Sequence, residues 1–152
     1  MRQNVNFGDL GQWQAMLDRH AELFSEMDAG ARVGFVSRFD SGMLPGKHVA
    51  GARMAQGGEI LAWERQGEGM CARLQPFTGI NDAPVDLLFV VEDEALAAMR
   101  TALGGDALGL IKRQIRQGGI MFYVMKDKYQ LQDAGYEDFL DSLGLAFLGA
   151  CR

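Results

Sequence analysis

The chain is short of the residues that most often carry chemistry. In 152 residues it has two cysteines, two histidines and three prolines. Cys71 and Cys151 lie far apart, in no CxxC spacing and beside no histidine, which predicts free thiols rather than a bridge or a metal site. The short ligand spacings of zinc sites are absent, so no metal is expected. Basic charge is also in deficit: 15 Lys and Arg against 20 Asp and Glu leave a net charge of -5. A pI near 5.0 argues against a nucleic-acid partner, which normally meets a basic face. No apolar run approaches the roughly 18 to 20 residues of a membrane-spanning helix. The opening MRQNVNFGDL has no apolar core of signal-peptide length, and the expected location is cytoplasmic.

What is present fits one globular domain over residues 1–152. Hydrophobic residues make up 48% and charged residues 23%, enough to fold around a core without staples. Glycine and methionine are plentiful, at 20 and 9 residues. Methionine fills irregular gaps, in a plain core or around a ligand of variable shape.

The hydrophobic pattern changes period along the chain. Leu10, Trp13, Leu17, Ala21, Phe24 and Met27 recur at spacings of three and four and predict a helix from about Asp9 to Met27. Asp9 stands where it can accept from the first-turn amides, and Gly30 can stop the run. From Arg32 the period drops to two. Val33 and Phe35, then Leu61 and Trp63, then Met70, Ala72 and Leu74 alternate with other residues between Gly-rich turns, reading as a meander of antiparallel strands. Lys47 to Ala55 fits an additional edge strand.

Val85–Val91 is nearly continuous apolar sequence, expected as a central strand buried on both faces. Glu92, Asp93 and Glu94 open a helix with Leu96, Met99 and Leu103 inward. Asp106 caps a second helix that ends at Gly118 and Gly119. Ile120–Met125 reads as another buried strand, Tyr129–Leu131 as a short return strand, and Tyr136–Leu148 as a final helix. Strands grouped apart from helices mean α+β: an antiparallel sheet of about five strands covered by helices.

Few residues offer chemistry. His20 borders the apolar stripe of the first helix and is expected to be packed and hydrogen-bonded. His48 follows a Pro-Gly turn, with no nucleophile or carboxylate partner near it in sequence. Cys71 lies within a strand as a buried thiol, and Cys151 lies next to the end. Asp82, Asp86, Glu92, Asp93 and Glu94 gather around the central strand, and helix-start electrostatics accounts for the last three. Lys112, Arg113 and Arg116 form a small basic patch at a helix end, without an aromatic partner. There is no GxGxxG and no Walker A segment. A catalytic signature is missing, and no cofactor is expected.

The run VDLLFVVEDEALAAMRTALGGDALGLIKRQIRQGGIMF, after an amphipathic helix and a strand meander, resembles the sterol carrier protein domain. Asp86, Glu94, Leu96, Gly104, Gly119 and Ile120 stand where that arrangement places its strand, helix and turn residues, over about Asp9 to Val124. The chain departs from it at Lys126-Asp127-Lys128, where the family usually has a Gly-Asp or Gly-Asn turn. The resemblance implies a tunnel between sheet and helices that holds a fatty acyl chain or another apolar small molecule. Pattern and size make Phe35, Trp63, Phe89, Met99, Met121 and Tyr123 the pocket candidates. The alternative is a regulatory or structural protein without a small ligand, whose first-helix stripe serves a homodimer. From Val85 onward the order also resembles the sulfur-relay, DsrE-like, fold. That family often places a cysteine where Met125-Lys126 stands, so an enzyme of that type would rest on Cys71 or Cys151.

Overall fold

The computed structural model describes residues 7, 9–38, 59–67, 69–76 and 85–144. The candidate strand at 47–55, His48, Asp82, Phe147 and Cys151 lie outside them. Helix α1 spans Leu10–Arg19. Asp9 caps it, its carboxylate accepting from the Gly11 amide at 2.9 Å. The helix is shorter than its apolar stripe: after Arg19 the chain tightens into a 3₁₀ turn, Ala21–Phe24. That turn still delivers Phe24 and Met27 to the core, so the spacing marked a buried face and not one unbroken helix.

Five strands follow the expected sites: β1 Arg32–Ser37, β2 Glu59–Gln66, β3 Gly69–Pro76, β4 Leu87–Val91 and β5 Ile120–Val124. Between β4 and β5 run helices α2, Asp93–Ala102, and α3, Ala107–Gln117. Asp106 caps α3 by accepting from the Gly109 amide, and Gly118 ends it at φ 89°, a left-handed turn that glycine adopts without a Cβ penalty. After β5 come two short helices, α4 Lys128–Asp133 and α5 Glu137–Ser142. Helix α4 occupies the place where the return strand was expected. Asp127 and Gln130 form a reciprocal capping box there, a local signal strong enough to turn Tyr129–Leu131 into helix.

The strand order is β3-β2-β1-β4-β5. Pairings β1–β2, β2–β3 and β4–β5 are antiparallel, whereas β1 and β4 run parallel. The fold is therefore α+β with a mostly antiparallel sheet and one parallel seam at its centre. β4 is buried along its whole length, as its LLFVV sequence requires of a strand covered on both faces. β5 corrects the expectation of a second buried strand. It is an edge strand, with only Ile120 buried and Val124 exposed.

The alternation sorts side chains cleanly. Val33, Phe35, Leu61, Trp63, Leu87 and Phe89 join Trp13, Leu96, Met99, Ile111 and Phe139 in the main core, on the face covered by the helices. The opposite face carries a second buried cluster of Val36, Ile60, Val85, Leu88 and Val90. Gly34 permits close packing there, because a Cβ on it would lie 2.7 Å from Ile60 Cδ1 and 2.9 Å from Val85 Cγ1.

Candidate interaction edge

The six pocket candidates do not share one surface. Phe35, Trp63, Phe89 and Met99 are fully buried in the helix-covered core. Their rings touch: Phe35 stacks on Phe89 with centroids 4.8 Å apart and meets Trp63 at 4.7 Å. Such spacings are van der Waals contact, so no acyl chain fits between these three rings. Trp13, Phe24 and Phe139 close around Trp63 at 6.2, 6.0 and 6.1 Å. The Trp63 indole N–H is buried among these rings without an oxygen or nitrogen partner. Met121 and Tyr123 lie on the other side of the sheet, packed against the second cluster. There the Tyr123 hydroxyl approaches Met121 Sδ at 3.9 Å.

Tyr136 and Asp86 are committed to structure. Tyr136 is fully buried; its hydroxyl donates to Asp86 Oδ2 at 2.6 Å and lies 3.1 Å from the Arg32 carbonyl. Burial, then the Asp86 carboxylate, raise its phenol far above the usual tyrosine range, which keeps it neutral. The same Asp86 oxygen accepts from the Arg32 amide at 3.2 Å, and Lys126 reaches Asp86 Oδ1 at 3.6 Å. These groups border a cleft of about 220 Å³ that also includes Asp28, Gly30 and Gln130. This latch fastens the start of β1 and β4 to the start of α5. A second cleft, about 570 Å³, lies between the Glu92–Glu94 turn and Gln114–Gly119, and Glu92 is ion-paired with Arg38. Cys71 is half-buried on β3 opposite Glu64, and His20 is half-buried at the end of α1. No three His, Cys, Asp or Glu among the described residues gather as metal ligands.

The two edges of the sheet differ more than the clefts do. β3 pairs with β2 through Cys71, Arg73 and their alternates, leaving the backbone of Met70 and Ala72 facing outward. The Gln14 side chain on α1 covers them: its Nε2 donates to the Met70 carbonyl at 2.8 Å, and its Oε1 accepts from the Ala72 amide at 2.9 Å. A glutamine amide has the same donor and acceptor as a peptide group, so at Met70 and Ala72 it stands in for one residue of a further strand.

β5 has no such cover among the described residues. The Met125 amide donates to the Asp86 carbonyl and the Glu92 amide to the Gly119 carbonyl, both at 2.9 Å. In an antiparallel ladder bonding alternates, so the backbone groups of Ile120, Phe122 and Val124 point away from β4. The strand IMFYV has neither charge nor proline, the usual protections of an exposed edge. Val124, 48% exposed, and Tyr129, 67% exposed, are the exposed large hydrophobics among the described residues. Both belong to the stretch from the end of β5 to the first turn of α4.

Sequence reasoning missed this edge because an uncharged apolar run reads the same in a central strand and in an unguarded outer one. The lack of a gatekeeper charge in IMFYVM was the available signal. Gln14 left no signal, since it stands among ordinary polar residues on the outer side of the helix. No family model, curated protein or solved structure matches this chain. Among the described residues no helix is long and apolar enough to cross a membrane.

Proposed function

We propose that the chain is a non-catalytic interaction module whose working surface is the open edge of β5, with Val124 and Tyr129 beside it. The observation that carries this reading is the contrast between the edges, one met by Gln14 at Met70 and Ala72, the other without such a cover among the described residues. An open edge recognises an extended segment through main-chain hydrogen bonds, and flanking side chains supply selectivity. The carrier reading draws no support from the helix-covered layer, where Phe35, Trp63 and Phe89 already fill one another's space. A sulfur-transfer role draws none from Cys71, a half-buried thiol that forms no disulfide.

The test is a parallel titration. A synthetic strand peptide copying residues 119–125, flanked by lysines for solubility, and a fluorescent fatty acid are each added to isotope-labelled protein. The proposal expects the peptide to shift the amide resonances of Ile120, Phe122 and Val124, and the fatty acid to bind without saturation. Saturable one-to-one uptake of the fatty acid, with the β5 resonances still, would overturn it.

A further inference from the structure

We infer that the segment taken up by the β5 edge is acidic: an extended peptide with carboxylates at both ends of its strand. This rests on the interaction reading above and names the chemistry of the partner. The chain has a net charge of -5, but the stretch that holds β5 runs against it. From Lys112 to Lys128 there are five basic residues, Lys112, Arg113, Arg116, Lys126 and Lys128, and one acid, Asp127. The cations thus collect around the one strand whose outer backbone has no cover among the described residues.

The placement of these charges fits the edge. Helix α3 packs on β5, and Arg116 stands four residues before Ile120, where the strand begins. Lys126 stands two residues past Val124, where it ends. Arg113 and Arg116 are exposed and ion-paired to none of the described residues. Lys126 is half-exposed and reaches one oxygen of Asp86 at 3.6 Å. The acids nearby are occupied. Asp127 caps α4, accepting from the Gln130 amide, and Glu92 is ion-paired with Arg38. Asp93 and Glu94 lie in the first turn of α2, whose free amides offset their charge; that helix follows β4, on the inner side of β5. At physiological ionic strength charges act over about 8 Å, so a segment on the outer edge meets the cations at the two ends of the strand rather than the acidity of the whole chain. Edge-to-edge pairing of two copies would set Arg116 of one near Lys126 of the other, and like charges placed opposite one another disfavour pairing.

The test is a titration of the full isotope-labelled chain with three peptides built on the strand of residues 119–125. One is flanked by glutamates and one by lysines; the third keeps the glutamates but has proline at two strand positions, which removes the amides that pairing needs. The glutamate-flanked peptide is expected to shift the Ile120, Phe122 and Val124 amides and to bind roughly tenfold tighter than the lysine-flanked one, the scale of two exposed ion pairs. That advantage shrinks as salt is added. Arg116→Glu lowers the affinity of the glutamate-flanked peptide about fivefold and raises that of the lysine-flanked one; circular dichroism checks that the variant is folded, and Arg116→Gln gives the same direction with a smaller effect. Equal affinity for the two flanked peptides, or indifference to Arg116→Glu, overturns the inference and leaves the edge reading standing. Equally tight binding of the proline-containing peptide overturns it as well, since charge alone then suffices. If none of the peptides moves the β5 resonances, both readings fall.

Discussion

At the β3 edge a side chain stands in for the missing neighbour; at the β5 edge the described residues offer none. The two strands face the same physical problem, a row of outward amides and carbonyls. β3 solves it with long-range packing: Trp13, Met16 and Leu17 bury one side of α1, and that seating aims Gln14 at Met70 and Ala72. β5 follows directly from α3 through the Gly118–Gly119 turn and passes into α4; its inner groups bond β4, and among the described residues no side chain covers its outer ones. An edge is defined by what lies across from it, which no strand encodes alone.

The most damaging way to break the contrast is from the core. Trp63 supports Trp13 and thereby the seat of α1. Trp63→Ala is expected to cost about 3 to 5 kcal/mol, as large aromatic truncations do, in urea unfolding, and to release the β3 edge with it. A smaller loss is expected from Tyr136→Phe, about 1 to 3 kcal/mol, because the buried side of Asp86 loses its hydroxyl donor. Tyr136 also gives this variant a pH signature. Its folded phenol is held above the unfolded value near 10, so its stabilising contribution is complete below that pH and falls as pH rises past it. Alkaline unfolding titrations should show this component in wild type and lack it in Tyr136→Phe.

Gln14→Ala addresses the comparison itself. It makes the two edges alike, at a cost of about 1 to 2 kcal/mol for two hydrogen bonds, and should speed exchange of the Ala72 amide and promote association through β3. The smallest effect on the folded monomer belongs to Val124→Lys, within about 0.5 kcal/mol as for other surface changes, measured by the same urea titration at low protein concentration.

The elements themselves were largely legible. Alternation found β1, β2 and β3 and assigned their inward faces through Phe35, Trp63 and Met70; Asp106 and Gly118 marked both ends of α3. Local signals of this kind act over a few residues, and the sequence displays them directly. The parallel seam between β1 and β4 was not legible, because LLFVV is apolar on both faces and carries no trace of its neighbours' direction. The composition of Tyr129–Leu131 suits a strand, but the Asp127 and Gln130 capping box overrides that preference. The pocket candidates failed to converge for a related reason. Size and pattern select large buried residues, and period two places Phe35 and Tyr123 on opposite sides of the same sheet. As for the interaction edge, the apolar run was visible but its outer position was not.

Residue-resolved hydrogen exchange on dilute, monomeric protein sets the two edges side by side. The Ala72 amide, held by Gln14, is expected to exchange slowly, and those of Phe122 and Val124 fast. Equal protection at the two edges under these conditions would contradict that contrast.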